Sequence, residues 1–363
     1  MNNFFTHPMR IFFMSACFCG ICGGLVFYFS DNFLILHQMF FLNLLPACAY
    51  GGFLLTAIPD WANYHGSLKK IGFTLFGLVF LAFLSLPFSY LLSGSFIAIF
   101  WAVLLGFCAI LLWRDKNDDN FSILFVLSLF LGFEIAFLLK NDFKFLYSQI
   151  HISVAAIVVV SFRVSMVLGN EALKNTNFKD PIFLPNFVHK NLVAFFAIFY
   201  AFSTLFLNEK TSGFIALGLG FTLLAKLKEL HYFVLLRRHY IAFYYAFELL
   251  CALGYIWLGY CEIYEIYSSA PLHLIALGYY FAMILFIFIV AGLRHSGFVK
   301  LKFPLFGILA LVFMLFSAFV RSLLTEFNGY IHLSAFLLIL SFGFYAFTFL
   351  KIFTQNPFSD DPE

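Results

Sequence analysis

The chain reads as a succession of long apolar runs separated by short clusters of charge, Pro, Gly and Asn. The runs cover residues 11–29, 39–58, 71–92, 96–113, 121–139, 150–168, 192–207, 214–224, 241–258, 272–293, 304–320 and 333–350. Most approach the roughly 20 residues a helix needs to cross about 30 Å of hydrocarbon. None shows the short period-two alternation of a barrel strand. The pattern predicts an all-α integral membrane protein, a polytopic bundle of about 12 transmembrane helices. It forms a single transmembrane helical domain over 1–363, with a short polar tail at 354–363. The run at 214–224 is short, and it is expected to continue through Lys226, Lys228 and Glu229 as a helix leaving the bilayer. The first run follows a lone Arg10 without a small-residue cleavage site, so it is expected to stay as an anchor.

Composition supports this class: 63% of residues are hydrophobic and 11% charged, against about 25% charged in soluble domains. An ordinary soluble enzyme and a disordered chain are both excluded. The net charge of +3 comes from basic residues scattered between runs, which is no nucleic-acid footprint. Their distribution instead reports topology, because Lys and Arg are retained on the cytoplasmic side. With both termini cytoplasmic, that side holds Arg10, Lys69, Lys70, Arg114, Lys116, Lys174, Lys179, Lys190, Lys226, Lys228, Arg237, Arg238, Arg294, Lys300, Lys302 and Lys351. The other side keeps Lys140, Lys144, Lys210 and Arg321. The first expected partner is the lipid bilayer.

Histidines carry the chemistry. His37, His151, His273 and His332 open four different runs at the non-cytoplasmic end, while His7, His65, His189, His231, His239 and His295 fall at the other. Four imidazoles at one depth on four helices is what a b-type haem needs, since its axial ligands face each other across a bundle. Solvated or capping roles compete with this reading for every single His. Arg321, near His332, suits a haem propionate. His65 and His295 each precede a Gly/Ser pair, His65-Gly66-Ser67 and His295-Ser296-Gly297. Cys17, Cys19 and Cys22 raise a soft Cu(I) site, against plain packing of small side chains. No Cys-x-x-Cys-His occurs, which excludes covalent c-type haem. Among charges inside the runs, Arg163 and Glu248 are expected to pair, and Glu134 with His151 is a candidate proton relay.

Two stretches go further. His37-Gln38-Met39 with Gly51-Gly52-Phe53-Leu54-Leu55-Thr56-Ala57-Ile58-Pro59-Asp60-Trp61 resembles the HEM…GFLLTAVPNW block of the NnrS family of haem- and copper-containing membrane proteins. His273-Leu274-Ile275-Ala276-Leu277-Gly278, running to Gly292-Leu293-Arg294-His295-Ser296-Gly297, is similar to that family's H-x-x-x-x-G…LGHTG block. His7-Pro8-Met9-Arg10-Ile11-Phe12-Phe13 resembles its HP-x-R-x-FF opening. Gln38 stands where the family usually has Glu, and Ile35 where it often has a further His.

The resemblance implies a multi-pass protein of the cytoplasmic (inner) membrane that binds haem and copper and takes part in nitric oxide handling and protection from nitrosative stress. The expected haem ligands are His37 and His273, with His332 and His151 as alternates and Arg321 beside them. Copper is expected at His7, His65 and His295, where imidazole suits Cu. NO is the expected ligand, a quinol or a protein the expected redox partner, and enzymatic turnover is left open. A competing class is a secondary transporter without haem, with Pro46, Gly51-Gly52, Pro87 and Gly218–Gly220 as helix breaks near a midplane site.

Overall fold

A backbone in hydrocarbon must hydrogen-bond to itself, and a helix does so within one segment. The computed structural model, which describes residues 3–30, 33–116, 120–174 and 183–359, is accordingly helical throughout, with no strand among the described residues. Its long helices are α1 (Pro8–Phe29), α2 (Phe33–Trp61), α3 (Lys69–Ser85), α4 (Tyr90–Asp115), α5 (Phe121–Lys140) and α6 (Lys144–Leu173). They continue as α7 (Phe187–Phe206), α8 (Glu209–Leu227), α9 (His239–Ile263), α10 (Ala270–Arg294), α11 (Leu305–Leu323) and α12 (Tyr330–Gln355). Ten are long and apolar enough to cross a membrane. The other two are α3, which has 17 residues, and α8, whose hydropathy is lowered by Glu209, Lys210 and Lys226. Lys179, assigned above to the cytoplasmic side, and residues 360–363 of the tail lie outside the described residues.

Helix starts follow from local chemistry. Ser89, Asn186 and Asn208 each accept a backbone N–H of the first turn of α4, α7 and α8. His7 does the same for α1, with Pro8 at the first helical position. Lys116 and Asn141 close α4 and α5 in the left-handed conformation, φ 52° and 51°.

Two helices are wrapped by the others. The most apolar eighteen-residue window is 94% buried in α2 and 89% buried in α10, against 33% in α7. Both contain a turn of π-helix, Phe40–Leu44 in α2 and Ala276–Phe281 in α10. Such insertions are rare and concentrate at functional positions.

The chain divides into two compact units. Unit 1 comprises Met1–Gln149, Phe288–Ala310 and Ala335–Glu363, and unit 2 comprises Ile150–Ile287 and Leu311–Ser334. In unit 1, α1 packs on α2 through Gly51 and Gly52, where a Cβ would fall within 3 Å of Phe100, Phe12 or Phe13. Phe13 stacks on Phe288 at 3.8 Å, and Trp101 on Phe130 at 4.8 Å. In unit 2, α8 and α9 touch backbone to backbone. A Cβ on Gly259 would lie 2.5 Å from the Gly213 carbonyl oxygen, and one on Gly220 would lie 2.9 Å from that of Ala252. Small residues substitute for a hydrophobic driving force where lipid is as apolar as the side chains. Ser317 and Ser334 exchange side-chain to carbonyl hydrogen bonds of 2.8 and 3.0 Å, joining α11 to the start of α12.

Because the obstruction at Gly259 is backbone, a side chain there has no flexible neighbour to displace. Gly259→Val should lower stability by about 1–3 kcal/mol, read as earlier thermal loss of the monodisperse peak in detergent. Gly132→Ala, where nothing lies within 4 Å, should leave the transition unchanged or raise it slightly.

Candidate functional site

The two wrapped helices share a local plan. His37 and His273 each stand three residues before the π turn of their helix. In unit 1, His37 is half-buried and sits edge-on between Phe27 and Phe41, at ring distances of 4.6 and 4.8 Å. In unit 2, His273 Nδ1 donates to the Ser269 carbonyl at 2.7 Å. A carbonyl only accepts, so in the neutral ring the lone pair resides on Nε2. An Nδ1–H held by a backbone carbonyl fixes the tautomer that a metal-ligating histidine uses.

The other residues expected at that end all lie in unit 2. His151 is buried, its Nδ1 is 2.8 Å from the Tyr255 hydroxyl, and its ring meets Tyr200 edge-on at 4.6 Å. The Arg321 guanidinium lies over the Tyr330 ring at 5.2 Å, two residues before His332 at the start of α12. Arg321 and His332 therefore share one hairpin.

At the end of unit 1 where α1 begins, a cavity of about 720 Å³ is lined by His7, Asp60, Tyr64, His65, Lys69 and Phe358, among others. His65 is exposed at its rim. Phe358 stacks on His7 at 3.9 Å and 7°, and on His295 at 5.1 Å and 4°. Two of the three histidines expected to hold copper, His7 and His65, thus line this cavity, and His295 adjoins it through its stacking on Phe358. His7 Nδ1 accepts from the Met9 N–H at 3.2 Å, whereas His295 Nδ1 donates to the Ser359 carbonyl at 3.1 Å. Burial, with His295 and Arg10 nearby, pushes the His7 pKa down to about 3. Among the described residues, no three His, Cys, Asp or Glu side chains stand close enough to hold a metal ion.

Arg10 organises this end, and it is not in a loop as the charge distribution suggested. It lies in the first turn of α1, fully buried. Nη1 donates to the carbonyls of Asn3, Phe353 and Asn356 at 2.8–2.9 Å. Nη2 reaches the carbonyls of Pro357 and His295 at 3.0 and 3.3 Å, and Ser296 Oγ at 3.4 Å. One guanidinium thereby satisfies the open carbonyls at the C-terminal end of α12 and holds Phe358 in register.

Buried charges correct two expectations. Glu248 pairs with Lys226, not with Arg163: the Nζ–Oε1 distance is 2.9 Å, both groups are buried, and Lys226 also donates to the Tyr244 hydroxyl. Spacing along the chain gave no sign that α8 would bring Lys226 inward. Glu134 is bonded to Asn43 and Gln149, at 2.6 and 3.2 Å, rather than to His151. Asn43 was visible as a polar residue within an apolar run, and Gln149 as the residue just before one. The cysteines are free thiols, and Cys19 hydrogen-bonds Cys48 of α2.

Among the described residues, an all-helical fold with ten helices fit to span a bilayer defines a multi-pass membrane protein. The family model described as "NnrS protein" matches residues 3–356, nearly the whole chain, and the protein belongs to the NnrS family. No curated protein matches the chain.

Replacing Arg10 by Met should leave several buried carbonyls without donors, at about 1–3 kcal/mol each. The expected result is a loss of at least about 3 kcal/mol and faster hydrogen exchange confined to residues 353–359 and 295–297. A second outcome concerns acid. A histidine whose folded pKa is depressed contributes its stability above the unfolded value of about 6.5 and loses it as pH falls from there toward 3. At pH 5 that is about 2 kcal/mol, so melting at pH 5 and pH 7.5 should differ less in His7→Asn, which keeps the helix cap, than in wild type.

Proposed function

We propose that this NnrS-family protein binds haem b and copper in the cytoplasmic membrane and handles nitric oxide in protection from nitrosative stress. The observation that carries the reading is His273, whose tautomer is fixed by an Nδ1–H to carbonyl hydrogen bond that puts the lone pair on Nε2, three residues before a π turn. His37, in the same position relative to its own π turn, is the companion ligand candidate. Arg321, in one hairpin with His332, is suited to a propionate. Bound haem would supply an iron that binds NO and exchanges one electron. The chain's own residues orient an imidazole, place aromatic rings around His37, and keep both helices dry over most of their length. Electrons would come from a quinol or a protein partner.

Copper belongs to this reading through His7, His65 and His295. As arranged, Phe358 stands between two of them and His7 Nδ1 caps α1. The set therefore fits a metal only with Phe358 withdrawn and the cap released. No step is assigned to it.

The test is an absorbance spectrum of the purified protein, oxidised and dithionite-reduced, before and after NO, with iron and copper analysis. A b-type reduced spectrum that shifts with NO, and is lost in His273→Ala while His65→Ala keeps it, supports the haem reading. A colourless protein that stays empty after haemin reconstitution overturns it.

A further inference from the structure

Among the described residues two carboxylates, Glu134 and Glu248, are completely buried inside helices, and they are treated differently. Glu248 faces the Lys226 ammonium. Glu134, in α5, faces two amides: Asn43 Nδ2 donates to Oε1 at 2.6 Å and Gln149 Nε2 to Oε2 at 3.2 Å. Gly94 of α4 lies against Oε1, where a Cβ would come within 3.1 Å, and Phe137 and Leu138 close the same side. Among the described residues no ion pair includes Glu134. The charged residues on the surrounding parts of unit 1 are Asp60 on α2, Arg114 and Asp115 on α4, Lys140 on α5 itself and Lys144 on α6, and none is hydrogen-bonded to it. The pocket lies six residues before the end of α5, about 9 Å along the helix.

The amides are only half used. Asn43 Oδ1 and Gln149 Oε1 are both buried without a hydrogen-bond partner. A buried polar atom left open is uncommon and costs about 1–3 kcal/mol, yet here two such atoms flank one carboxylate. Each amide carries donors on one side and an acceptor on the other. Together they are matched to both forms of the acid: N–H donors for the carboxylate, and, after an amide turns over, an oxygen to accept from the O–H.

We propose that Glu134 is a proton-exchanging site of the membrane-embedded core, with Asn43 and Gln149 as the amides that serve both of its forms. The step is a single protonation: one O–H bond forms at a carboxylate oxygen, the charge goes from −1 to 0, and no electron moves. Asn43 lies inside the π turn Phe40–Leu44, three residues of helix beyond His37 at its start. Turning its amide alters a side chain of that turn, so the proton is read out next to His37. Gln38, beside His37, hydrogen-bonds Tyr147, which is 36% exposed at the same end of α6 as Gln149. A structural role alone, of the kind the Lys226–Glu248 pair fills, would leave Glu134 in one protonation state.

The inference goes beyond the haem reading, and its test needs neither haem nor copper. Dicyclohexylcarbodiimide is an apolar reagent that adds whole to a protonated carboxyl, giving an N-acylurea with nothing released. The full-length protein in detergent is labelled at about pH 6 and about pH 9 and mapped by mass spectrometry. The expected result is an adduct at Glu134 at the lower pH, reduced at least about tenfold at the higher one, and none at Glu248 at either. No adduct at Glu134 at the lower pH, or an equal yield at both, overturns the proposal. Hydrogen exchange of residues 40–44, corrected for the intrinsic effect of pH, should differ between the two conditions in wild type and not in Glu134→Gln. An unchanged wild-type pattern overturns the coupling to the π turn. Should that variant fail to fold, the wild-type labelling decides the proton site alone.

Discussion

Hydrocarbon offers a polar atom nothing, so any hydrogen bond it makes inside this protein comes from the chain itself. That constraint explains most of what distinguishes the fold from a generic bundle. It places the Arg10 guanidinium against the open carbonyls of Phe353, Asn356 and Pro357 at the end of α12. It turns Lys226 toward Glu248 although both lie on helices with abundant lipid-compatible surface. It also sets two amides around Glu134. None of these arrangements is a strong source of net stability, because each desolvates its charge. Their effect is on specificity, since a helix docked in another register would leave a buried charge alone.

The same constraint frames the π turns. A π turn widens the helix and relaxes the backbone ladder, a cost that persists only where the surroundings hold it in place. Both occur in the two most buried helices, and both follow a histidine by three residues. Helix α2 then ends at Trp61 shortly before His65, and α10 ends at Arg294 immediately before His295. The two helices thus carry a histidine near each end, with the irregular turn adjoining the first. This shared plan sets α2 and α10 apart from the other helices.

Much of this was legible along the chain. The apolar runs located every long helix, because a span of hydrocarbon imposes its length directly on the sequence. His37 and His273 stood out because each opens a run, and the HP-x-R-x-FF, GFLLTA and H-x-x-x-x-G blocks placed the chain in its family. Arg10 was misread as a loop cation, since a single basic residue at the edge of a run looks the same whether it points to solvent or into the bundle. Arg163 was matched with Glu248 by depth alone, and depth says nothing about which face of a helix a residue occupies. Phe358 drew no notice, being one of 57 phenylalanines.

What the sequence alone determined is therefore one-dimensional: class, the placing of the apolar helices, the positions of the histidines, and the family. Hydrophobicity is local and additive along a segment, so it survives being read in order. Partners are not of that kind. The stacking of Phe358 between His7 and His295, the Lys226–Glu248 pair and the Glu134 amides join residues between 15 and 351 positions apart or on different helices. Which of them meet depends on helix rotation and on close approaches such as Gly213 against Gly259, and only tertiary packing decides those.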